Sequence, residues 1–123
     1  MTPMNHLLNI VKTYWIACTI ALLLVISCLS LFPLPELPDM PGNDKTGHLI
    51  AYATLMLPTA LRRPKHWILI GLCFIAFSGL IELIQPFANR YGEWLDLAAN
   101  STGILLGAII GRSIDFIFFR TAD

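Results

Sequence analysis

Residues 67–87 read WILIGLCFIAFSGLIELIQPF, and the first fifteen of them carry no charge. An α-helix rises 1.5 Å per residue, so a run of this length covers most of the hydrocarbon thickness of a bilayer. Glu82 then falls one to two turns inside the end marked by Pro86. A carboxylate at that depth is costly unless something is there to meet it.

The rest of the chain extends this pattern. Of its 123 residues 56% are hydrophobic and only 13% are charged, and the mean hydropathy is +0.69. That composition is too apolar for an ordinary soluble domain. Further apolar stretches cover residues 14–32, 44–61 and 95–111, giving an all-α membrane bundle of four transmembrane helices in one domain, residues 1–123. The first stretch is bounded by Lys12 and by the proline-rich segment after Phe32. It has no clear Ala-x-Ala site behind it, so it reads as a retained helix rather than a cleaved signal peptide. Asn43 or Asp44 makes a good N-cap for the second. The fourth continues into an amphipathic tail, 112–120.

Four spans place both termini on one side. Lys12, Arg62, Arg63, Lys65, Arg112 and Arg120 fall on that side, and only Lys45 and Arg90 fall opposite. The positive-inside rule therefore makes the termini cytoplasmic, which in a bacterium would place the chain in the inner membrane with residues 33–45 and 88–95 facing outward. Trp15, Trp67 and Trp94 lie near span ends and read as interfacial anchors. Eight basic residues balance eight acidic ones, so charge gives no reason to expect a nucleic-acid partner. The three cysteines, Cys18, Cys28 and Cys73, sit inside apolar runs as small packing residues. No His-x-x-x-His or Glu-x-x-His pair is present, no metal site is assigned, and no cofactor is named by the sequence.

The strongly polar residues of the spans gather at the outward end. Asp44, His48 and Tyr52 follow at i, i+4, i+8 and share a helix face, with Lys45 beside them. Glu82 and Gln85 share a face of the third helix. Asp96 and Asn100 share a face of the fourth, continued downward by Gly103, Gly107 and Gly111, small residues at a spacing that lets helices approach closely. Glu82, His48 and Asp96 are the candidate acid and base groups. Asp44, Lys45, Tyr52, Gln85, Arg90 and Asn100 are the candidate ligand-binding groups, with Lys45 and Arg90 suited to phosphate or carboxylate. Each has a plainer reading. Asp44 and Asp96 cap helices, His48 is a hydrogen-bonded structural residue, and Glu82 belongs to an ion pair that fixes helix register. Below Tyr52 and Asn100 the spans offer little polarity, which argues against a transport path.

The ordered set Asp44-Lys45-x-x-His48-x-x-x-Tyr52, Glu82-x-x-Gln85, Arg90, Asp96-x-x-x-Asn100-x-x-Gly103-x-x-x-Gly107 resembles the VanZ-like family over residues 44–107. The resemblance implies a small bacterial membrane protein of the cell envelope. The family's founding member is associated with low-level resistance to the glycopeptide teicoplanin. Membrane lipids, a lipid-linked wall precursor or a glycopeptide are the partners it implies. It implies no settled reaction, and leaves enzyme and accessory protein both open.

Overall fold

In the computed structural model, residues 3–31, 44–85 and 94–120 are described. Helix α1 is Pro3–Thr13, α2 is Trp15–Leu31, α3 is Asp44–Arg62, α4 is Trp67–Ile84 and α5 is Trp94–Asp115. A π-helical turn, Phe116–Arg120, follows α5. The fold is all-helical. α4 and the segment Trp94–Phe119 are each long and apolar enough to cross a membrane, and α1 with α2 make up a third such unit only if the pair counts as one bent span.

Two expectations change here. The first span is preceded by α1, and the two axes diverge by 78°. The hydrogen bonds run on through the bend, Tyr14 N to Ile10 O at 3.0 Å and Cys18 N to Tyr14 O at 2.9 Å. α1 has Met4, Leu7 and Ile10 exposed and Lys12 in its last turn, the pattern of a helix lying in a membrane interface. The stretch 44–61 is a helix that starts at Asp44 as expected, but it does not meet the length-and-hydropathy standard of α4 and α5. Its polar side chains lower its hydropathy, and it is the innermost helix instead. Tyr52, Leu55, Met56, Thr59, Ala60 and Leu61 are all buried.

α3 and α5 run parallel in close contact because α5 presents glycines to α3. A β carbon at Gly103 would strike the Leu49 carbonyl oxygen, one at Gly107 the Ala53 carbonyl oxygen, and one at Gly111 the Ala60 side chain. α4 runs antiparallel to both, with Gly71 against Met56 and Ile104. The core joins Ile26 of α2, Tyr52, Leu55 and Met56 of α3, Phe74 of α4 and Ile104 of α5. Cys28 and Cys73 face outward, away from this core.

α3 ends in a left-handed residue. Arg63 has φ 54°, and its N–H donates to the Thr59 carbonyl at 2.8 Å. This is the single-bond C-cap normally made with glycine, with a proline following.

Candidate functional site

Parallel packing of α3 on α5 brings the start of one beside the start of the other, and antiparallel α4 brings its end to the same place. The spacings of the sequence then decide what meets. Lys45 sits one turn before His48 on α3, and Asp96 sits one turn before Asn100 on α5. Asp96 is 4% exposed, and its carboxylate receives both α3 side chains. Lys45 Nζ lies 2.6 Å from Oδ1, and His48 Nε2 lies 3.6 Å from Oδ2. The first is a charge-assisted contact; the second is a loose approach that orients the imidazole.

One turn deeper, the Asn100 Nδ2 donates to Ser78 Oγ of α4 at 2.7 Å in a fully buried contact. Tyr52 is buried at the same level, its hydroxyl facing Ser78 and within electrostatic reach of Glu82. Glu82 and Gln85 are both buried on α4. The Gln85 amide donates to the Ser30 carbonyl of α2 at 3.1 Å, which ties the ends of those two helices together. A polar seam therefore crosses three helices, from Lys45 and His48 at the rim to Asn100 and Ser78 inside.

Two buried acceptors have no hydrogen-bond partner among the described residues, Asn100 Oδ1 inside this seam and Gln85 Oε1 at its outer margin. A buried polar atom left unpaired costs about 1–3 kcal/mol. Native folds leave few such atoms, so each calls for an explanation.

Of the residues named from sequence, Lys45, His48, Asp96, Tyr52, Asn100 and Glu82 gather here, with Gln85 at the margin. Asp44 opens α3, and its side chain lies outside the described set. Arg90 also lies outside the described residues. No group of three His, Cys, Asp or Glu side chains is placed to hold a metal among the described residues. Ser78 is a member that the sequence did not single out, because a lone serine in an apolar run reads as a small packing residue.

A second polar cluster occupies the opposite end. Asp115 is 3% exposed and accepts hydrogen bonds from Lys12 at 2.8 Å and from Arg112 at 2.9 Å. Arg112 also donates to the Ala60 carbonyl at 3.3 Å and stacks over Trp67 at 5.9 Å, while Lys12 lies 3.9 Å over the Phe119 ring. The strongly polar residues thus do not all fall at one end, as the sequence had suggested. Asp115 continues the i, i+4 series of Gly103, Gly107 and Gly111, and that register was the available signal.

No known protein family, curated protein or solved structure matches the chain.

Proposed function

We propose that the protein is a multi-pass membrane protein of the bacterial cell envelope, with four membrane segments, cytoplasmic termini and an outward-facing seam that binds an anionic, hydroxyl-bearing amphiphile. The proposed ligand is a phospholipid or a polyprenyl-linked wall precursor. The resemblance to the VanZ-like family points the same way, and a role in glycopeptide resistance belongs to that resemblance alone.

The observation that carries the proposal is the pair of unmet acceptors, Asn100 Oδ1 beneath the Lys45–Asp96 pair and Gln85 Oε1 at the outer margin. Acceptors of this kind suit sugar or glycerol hydroxyls, and an ammonium at the rim suits the phosphate that such head groups carry. A phosphate competing for Lys45 would leave the Asp96 carboxylate to hold and orient the His48 imidazole. The same arrival would thus bind the ligand and position a base, with Glu82 as a second carboxylate. Arg90 is assigned to the anion on its charge and its place in the sequence.

A second reading has its own observation. Lys45–Asp96 and Asn100–Ser78 already connect three helices, so the seam could serve only to fix their register, as buried polar contacts do elsewhere. Native mass spectrometry of the detergent-purified protein separates the two. A lipid that co-purifies with the wild type and is lost from Glu82→Gln and Arg90→Ala, with melting temperatures unchanged, supports the ligand site. Empty wild-type protein together with unstable variants would leave the structural reading.

A further inference from the structure

Between α4 and α5 lies a groove of about 530 Å3, walled by Trp67, Gly71, Ile75, Ile104 and Ala108, with Arg112 at one end. Its size falls within the range of about 300–1,000 Å3 common to small-molecule sites. At the floor Gly71 lets the α4 backbone pack close to Met56, whose Cε would lie 3.3 Å from a β carbon there. The rims, Ile68, Leu72, Leu105 and Ile109, are all more than half exposed. In a chain whose α4 and α5 cross the membrane, lipid tails are what such rims face.

The charge at the two ends of the groove is unequal. Its walls are apolar, while its Arg112 end opens beside the α3–α4 turn, where Arg62, Arg63 and Lys65 are exposed. Asp115 is the only acidic residue of this end among the described residues, and it is already held by Lys12 and Arg112. Both bonds given by Arg112 leave from Nη1, so Nε and Nη2 donate to nothing else among the described residues. The turn also keeps a guanidinium at Arg63 despite its left-handed backbone, a conformation that glycine adopts without strain.

We propose that this groove holds an acyl chain of an anionic phospholipid from the leaflet at the α3–α4 turn, with its phosphate bound by Arg112 and the cations of that turn. Each Lys or Arg near a membrane surface adds to the attraction for anionic lipid. The groove supplies what those charges alone lack, a fixed seat for the chain. The proposal rests on α4 and α5 spanning the bilayer, and does not involve the polar seam at the other end.

Trp67 reports on the seat directly. In a protein carrying Trp15→Phe and Trp94→Phe, Trp67 fluorescence is measured in phosphatidylcholine vesicles containing either brominated phosphatidylglycerol or brominated phosphatidylcholine, with bromine near the glycerol end of the chains. The expected result is an apparent affinity about five-fold higher for phosphatidylglycerol, the ratio that roughly one net favourable charge contact gives. Ala108→Phe, which fills the groove, is expected to abolish the preference. Arg63→Gln with Lys65→Gln is expected to bring the ratio near one while quenching by both lipids persists. Equal quenching in the wild type, or a preference unaltered by Ala108→Phe in a folded protein, would overturn the proposal. Quenching by neither lipid would overturn the spanning reading itself, a separate failure.

Discussion

Lys12 of α1 and Asp115 of α5 meet at 2.8 Å across 103 positions of sequence. The contact fastens the bent first helix to the last one at the end of the bundle opposite the seam. It also gives the buried carboxylate its second cation, beside Arg112.

Asp115 therefore matters more to stability than either partner. Asp115→Ala leaves Arg112 without its carboxylate next to Trp67, and the expected loss is about 2 kcal/mol. Lys12→Ala keeps the Arg112 bond, and Lys12 is itself partly exposed, so about 1 kcal/mol or less is expected. Thermal or denaturant unfolding in one detergent ranks the two. Equal losses would mean that Lys12, not the pair of cations, holds Asp115.

The helix glycines should separate by what a β carbon would meet. Gly103→Ala and Gly107→Ala each put a β carbon against the backbone of α3, and about 3 kcal/mol of destabilisation is expected from the forced separation. Gly79→Ala on α4 meets nothing closer than Leu97 Cδ1 at 4.0 Å. It should be neutral or stabilising by up to about 1 kcal/mol through helix propensity. Melting temperatures of the three variants test this, and a Gly103→Ala protein as stable as wild type would refute close α3–α5 packing.

The sequence carried the features that are local and periodic. Asp44 as a helix start, the i, i+4 pairs of α3 and α5 and the glycine ladder were legible because each is fixed by helical geometry alone. The bend at Tyr14 was not, since no proline or glycine marks it and the backbone hydrogen bonds continue through it. The partnership of Asn100 with Ser78 was not, because a serine in a hydrophobic helix gives no sign of which neighbour it meets. The burial of α3 was not either. Its polar residues lower its hydropathy, and only the surrounding helices account for the enclosure of Tyr52 and Thr59. Asp115 was missed because its cation Lys12 sits at the other end of the chain.

Arg63 tests whether the α3 C-cap is built for stability or for charge. Relief of a left-handed non-glycine residue is worth about 1 kcal/mol, offset in part by the greater freedom of glycine in the unfolded chain. Arg63→Gly is therefore expected to unfold at the same temperature or a few degrees higher. A clear loss of stability would show that the guanidinium, rather than the backbone bond to Thr59, holds the turn.

The sidedness of the proposed topology is checked by chemistry at Gly92, which lies outside the described residues. The proposal puts the α4–α5 connection outside the cell, on the side of Lys45 and away from Lys12, Arg62, Arg63 and Arg112. In a protein with Cys18, Cys28 and Cys73 replaced by serine or alanine, Gly92→Cys is expected to react with a membrane-impermeant maleimide in intact cells stripped of their outer membrane. A cysteine introduced at Lys65, in the α3–α4 turn, is expected to react only after lysis. The reverse pattern would invert the bundle, turning the Lys45–Asp96 rim toward the cytoplasm and removing it from any external ligand. Labelling of both positions before lysis would mean that α4 does not cross the bilayer, and the groove between α4 and α5 would lose its lipid-facing setting as well.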